Sequence, residues 1–142
     1  MSVGTIKLLI AGALLLHGLG HVGVFVTLII NRLGYNTGPF TAAKSWLFPS
    51  LPAPAAMAVA GVFYIPAAIG FVAAAMSFWG ILVPGDLWRQ IALVSAVISA
   101  AGMVLFLGNW PTFNTIAAMA MNVAVIVTQL WTHWPPQSMF GK

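Results

Sequence analysis

The sequence contains no cysteine. Disulfides, thiol redox chemistry and thiolate metal sites are therefore excluded. Acid is nearly absent as well: Asp86 is the one carboxylate side chain among 142 residues, and glutamate does not occur. Ion transport through buried carboxylates has no group to work with. An acid to orient a serine–histidine pair is missing too, so hydrolysis by that route lacks a component. No glycine-rich phosphate loop follows a strand, which leaves nucleotide binding without support. Charge of either sign amounts to 4% of residues, whereas soluble domains run near one quarter. The five cations, Lys7, Arg32, Lys44, Arg89 and Lys142, stand singly between apolar stretches. A net charge of +4 spread in this way is a loop pattern and not a nucleic-acid patch, and no nucleic-acid partner is expected.

What is present is apolar. Hydrophobic residues make up 61% of the chain, too many for a fold whose surface meets water. The expected partner is a lipid bilayer, and the expected class is an all-α, multi-pass membrane protein. Lys7 followed by an apolar run has the look of a leader. The run continues through Ile30 without a small-residue cleavage site, so a retained first membrane helix is expected.

Spanning helices need about 20 mainly apolar residues, and four segments qualify: about 5–30, 57–83, 87–107 and 113–134. They make one domain, a four-helix antiparallel transmembrane bundle. The turns "PGD" at 84–86 and "GNWPT" at 108–112 are short, so the second, third and fourth helices should be antiparallel neighbours. Asp86 is placed to cap the third helix and to pair with Arg89 three residues on. The first loop, 31–56, is long. Its "GPFTAAKSWLF" is suited to lie flat on the membrane, and its "PSLPAPAA" cannot be helical throughout. Pro66 should kink the second helix or free a carbonyl. Lys7, Arg89 and Lys142 face Arg32 and Lys44 across the bilayer, three against two, which places both termini on the cytoplasmic side of a cell membrane. Trp79, Trp88, Trp131 and Trp134 should form a belt on the side of the termini, with Trp46 and Trp110 opposite. Small residues, among them Ala92, Ala96 and Ala100, mark where helices approach closely.

One stretch departs from this pattern. "LHGLGHVG", residues 16–23, places two histidines near the middle of the first span. Spacing of four puts His17 and His21 on one helical face. Ala13, Gly20, Val24 and Thr27 share that face, and Leu15, Leu19, Val22 and Val26 lie opposite. Polar groups at this depth need partners. Asn122 on the fourth helix and Ser95 or Ser99 on the third lie at matching depth, which predicts a hydrogen-bonded cluster. Two histidines at this spacing also form half of a helical metal site. Met76, Met103, Met119 and Met121 are softer ligands that would complete a copper-like or haem-like shell. His133, eleven residues beyond Asn122, lies about 16 Å further along its helix and is expected at the interface.

Small multidrug exporters share the four-span size but depend on a glutamate in the first helix, and quinone-linked disulfide enzymes depend on cysteine; this chain has neither. The leading expectation is a non-enzymatic accessory or scaffold subunit, packed against itself as a homo-oligomer or against other membrane proteins. The second is a haem, pigment or transition-metal protein with His17 and His21 as ligands. The third is a small-molecule carrier or channel with the proline-rich loop as a lid.

Overall fold

A computed structural model describes residues 1–35 and 43–140. Four long helices follow one another: α1 (Val3–Arg32), α2 (Ala53–Ser77), α3 (Trp88–Leu105) and α4 (Thr112–Val127). Each is long and apolar enough to cross a membrane, α4 together with the π-helical turn Thr128–Thr132 that continues it. The chain is an all-helical integral membrane protein. No strand occurs among the described residues.

The helices pack in chain order, α1 on α2, α2 on α3 and α3 on α4. Small residues set this order, because membrane helices associate through close backbone approach and not through exclusion of water. Ala60, Ala67, Ala74, Ala92 and Ala96 are fully buried. Gly18 brings α1 against α2 so closely that a Cβ there would lie 2.9 Å from the Ala68 carbonyl oxygen. On the lipid side of α1, Leu15, Leu19, Val22 and Val26 are exposed. Two apolar clusters result. One surrounds Phe71, Phe78 and Trp88 on the side of the termini; the other surrounds Val24, Leu28 and Phe106 on the side of the first loop.

Several local expectations are corrected. α2 begins at Ala53, inside the proline-rich piece. Pro52 caps it and Pro54 sits in its first turn, where the missing N–H has no helical acceptor in any case. α2 ends at Ser77 and not near 83, because Gly80 and Leu82 take left-handed backbone angles of 63° and 62°. Asp86 does not cap α3. Leu87 holds that position without a side-chain bond. Arg89 turns away from the local pairing expected with Asp86. Its Nη2 donates to the carbonyl oxygens of His133 (3.1 Å) and Pro135 (2.6 Å), joining the start of α3 to the chain beyond α4. A guanidinium there meets carbonyls that no helical N–H satisfies. Trp88 is 1% exposed, so it belongs to the core and not to the interfacial belt. Trp79, Trp131 and Trp134 remain exposed.

The first loop is clipped to the far end of α3. Ser45 Oγ donates to the Leu105 carbonyl, Trp46 Nε1 to that of Val104, and Asn109 Nδ2 to that of Lys44. The surface-lying stretch expected over 38–48 falls partly outside the described residues, at 36–42. Its remainder, 43–48, is irregular and not helical.

Candidate functional site

The polar side chains of the midplane meet between the two apolar clusters. His17 Nε2 donates to Asn122 Oδ1 at 2.9 Å, linking α1 to α4. Asn122 Nδ2 donates to Ser99 Oγ at 2.8 Å, linking α4 to α3. Ser99 Oγ lies 2.8 Å from His21 Nε2, which returns the chain of bonds to α1. Asn122 and Ser99 are 0% exposed and His21 is 1% exposed. Met103 Sδ, 3.6 Å from Asn122 Nδ2, packs beside the amide.

Ser99 Oγ accepts from Asn122 and either donates its O–H to His21 Nε2 or accepts a second bond from it, according to the ring's tautomer. In both tautomers His21 Nδ1 is buried and has no hydrogen-bond partner.

Ser95, expected as an alternative to Ser99, stands apart from the cluster. Its hydroxyl donates to the Ile91 carbonyl one turn back on α3, the usual way a helical serine satisfies itself. Gly70 of α2 faces it so closely that a Cβ would overlap the Ser95 hydroxyl. His133 lies in a left-handed conformation just past the π-helical turn, its Nδ1 2.9 Å from the Gln129 carbonyl oxygen. Met76 and Met121 line clefts on opposite flanks of α1.

Aromatic rings enclose the histidines. His17 and His21 meet edge to face at 4.9 Å, and Phe71 lies 4.5 Å from His17 in the same manner. Tyr64 stacks on His21 at 5.6 Å. Trp110 approaches His21 at 5.7 Å and donates its indole N–H to the Tyr64 hydroxyl at 3.2 Å. Tyr64, Phe71 and Trp110 were not anticipated as neighbours of the site. The available signal was Tyr64 itself, a phenol in mid-span whose hydroxyl required a partner, with Phe71 two turns along on the same face.

The face holding Ala13, Gly20 and Thr27 does not pack against α4, as its inward direction suggested. It borders a cleft between α1 and α4 of about 590 Å³. Trp110, Asn114, Ala117 and Met121 form the α4 side, and both histidines border the inner wall. Gly20, Asn114 and Ala117 are exposed, so the cleft opens sideways, towards lipid.

This arrangement limits the chemistry. Ser99 and His21 have the spacing of a nucleophile and its base, but the hydroxyl is fully buried and nothing orients His21 from Nδ1. A proton path through the cluster would have to cross the Asn122 amide, which has no titratable position at neutral pH. For metal binding, each Nε2 is already engaged within the protein. No group of three or more histidine, cysteine or acidic side chains gathers among the described residues. The arrangement does bind helices together: one closed polar layer ties α1, α3 and α4.

Comparison of the chain with protein-family models, with curated proteins and with solved structures finds no match. Function is therefore read from the site.

Proposed function

We propose that this chain is a non-enzymatic integral membrane protein that takes a small lipid-soluble molecule into the lateral cleft between α1 and α4. The cleft carries the reading. Its volume, about 590 Å³, lies within the range of about 300–1,000 Å³ typical of small-molecule sites. It is mainly apolar with a few polar groups, the composition such sites have. The polar layer behind it supports a structural role for His17, His21, Ser99 and Asn122, holding α1 and α4 in place while their seam stays open. The cation count supports termini on the cytoplasmic side of a cell membrane, with the first loop and the Trp110 end of the cleft towards the outer face. Native mass spectrometry of the protein, released from gentle detergent, tests the reading. A bound lipophile that survives purification and is displaced by substitutions in the cleft supports it. A uniformly empty protein, unchanged in melting temperature by a panel of lipophiles, overturns it.

A second reading, an accessory subunit of a larger membrane assembly or of a homo-oligomer, draws on α4. This helix is the least buried of the four, and Ile116, Val123, Val127 and Leu130 form an exposed stripe along it. Site-specific crosslinking from Val123 in native membranes tests this. A single discrete adduct supports a protein neighbour, and labelling of lipid alone refutes one. The haem, pigment or metal reading draws less support, because both Nε2 atoms are taken.

A further inference from the structure

The first half of α4 stands off the bundle. From Thr112 to Met121 the helix carries no buried side chain; its buried residues begin at Asn122, in the polar layer. Across the cleft, α1 presents Gly20 and Gly23. A Cβ at either would meet no atom of another helix within 4 Å, whereas Gly18 has α2 pressed against it.

The bond from His17 to Asn122 sets the register of these two helices, which run in opposite directions as the first and last of four successive spans. Counted from it, Gly20 and Gly23 lie three and six residues on in α1. Ala118 and Ala117 lie four and five residues back in α4. At equal rise per residue the two pairs share one depth, and all four border the cleft. Small residues facing one another at one depth are what lets membrane helices touch. Here they remain apart. Glycine within a helix is unfavourable in itself, and in this arrangement no contact offsets it.

Trp110 accounts for the gap. It lies just before α4 and borders the same cleft. Its ring reaches His21 of α1 at 5.7 Å and Tyr64 of α2 at 5.3 Å, and its indole N–H donates to the Tyr64 hydroxyl at 3.2 Å. A large ring seated where α4 leaves the bundle acts as a spacer. Two residues earlier, Gly108 holds a φ of 87°, so the turn before α4 bends where no Cβ resists it.

We propose that the α1–α4 seam is a two-state lateral gate. Trp110 props it open, and withdrawal of the indole lets the first half of α4 close on Gly20 and Gly23. The His17–Asn122 bond is the pivot. Closure packs Ala117 and Ala118 against the glycines and removes the cleft. This goes beyond the small-molecule reading, since it concerns the walls of the cleft and not the occupant.

A disulfide reports closure. It joins Cβ atoms about 3.8 Å apart on average, closer than any atom of another helix lies to a Cβ at Gly23 in the open seam. The chain has no cysteine, so Gly23→Cys with Ala117→Cys supplies the only thiols. This double variant is oxidised in phosphatidylcholine vesicles with Trp110 kept, or replaced by alanine or phenylalanine. Trp110→Ala should crosslink within the chain several-fold faster than the protein that keeps Trp110. Trp110→Phe, which retains a ring, should stay near the slow rate. If Trp110→Ala does not fold, Tyr64→Phe removes the acceptor of the indole N–H and should speed crosslinking in its place. Spin labels at Val22 and Ile116 should approach one another in the same variants, while labels at Leu8 and Leu130, beyond the pivot, keep their separation. Crosslinking that ignores both Trp110 and Tyr64 overturns the prop. No crosslink in any variant overturns the gate. Crosslinks formed between chains and not within them give the glycines to a neighbouring copy, and overturn it too.

Discussion

Replacing Asn122 should unlock the bundle, and the size of the loss follows from its contacts. The amide is fully buried and reaches two other helices, through His17 on α1 and Ser99 on α3. Hydrogen bonds between membrane helices contribute about 0.6–2 kcal/mol each, so Asn122→Leu should cost about 1.2–4 kcal/mol. Leucine has the branching and heavy-atom count of asparagine with bulkier ends, so none of that loss comes from a cavity, and crowding can only add to it. The loss should fall towards the upper end, because the substitution leaves the His17 Nε2–H without an acceptor in hydrocarbon.

Reversible unfolding in bicelles, followed by circular dichroism as denaturing detergent is titrated, measures this. A double-mutant cycle of His17→Ala with Asn122→Ala isolates the α1–α4 bond and should give a coupling of about 0.6–2 kcal/mol. Ser95→Ala is the internal control. Its hydroxyl bonds within α3, so its cost should be less than half that of Asn122→Leu. A coupling within about 0.3–0.5 kcal/mol of zero, the margin within which independent sites add, would refute the polar lock.

Other substitutions separate the parts of the fold. Gly18→Ala drives a Cβ to within 2.9 Å of the Ala68 carbonyl and should destabilise by about 1–3 kcal/mol, as overpacking does. Gly20→Ala, with open space around it, should be neutral or stabilising by up to about 1 kcal/mol; the same unfolding titration distinguishes the two, and equal effects would contradict the α1–α2 contact. Arg89→Ala should raise hydrogen exchange at the amides of His133 and Trp134 and leave the midplane unchanged, since Arg89 holds the carbonyls of His133 and Pro135. A fluorophosphonate probe should leave Ser99 unlabelled, because the hydroxyl is enclosed; stoichiometric labelling would instead make the Ser99–His21 pair reactive.

The four spans were legible because lipid imposes one solution on the backbone: a run of about 20 apolar residues satisfies its own hydrogen bonds only as a helix. The partnership of His17 with Asn122 was legible for a related reason. A polar group at the midplane has few possible acceptors, and depth alone narrows them. Ser95 and Ser99 could not be separated by depth. The choice depended on how α3 is rotated, which Gly70 and its contact with Ser95 help to set. Helix ends other than those of α2 were legible to within two residues, counting the π-helical turn with α4. The start of α2 inside "PSLPAPAA" was missed because proline forbids a helix interior but suits a first turn. The position of Trp88 along the chain points to the interface. Its burial depends on Phe78, whose ring lies 4.7 Å away and whose arrival there is tertiary. The cleft was not legible at all, because a glycine that admits a neighbour and a glycine that leaves a void read alike.

That ambiguity is resolved within eight residues of α1, where each position turns by about 100° from the last. His17 points at α4, Gly18 at α2, Gly20 into the cleft and His21 at α3. The same period therefore assigns the lock and the opening together, and neither can shift alone. Inserting one alanine after Gly20 would rotate everything beyond it by about 100° relative to His17. His21 would leave Ser99, Gly23 would leave the cleft, and His17–Asn122 would be the one bond of the layer still attached to α1. Such a variant should lose both the stability of the polar layer and the cleft. Inserting four residues, close to one full turn, should restore the angular register while displacing it by about 6 Å along the axis. Recovery of ligand binding without recovery of stability in that second variant would mean that the opening depends on direction, and the lock on depth as well.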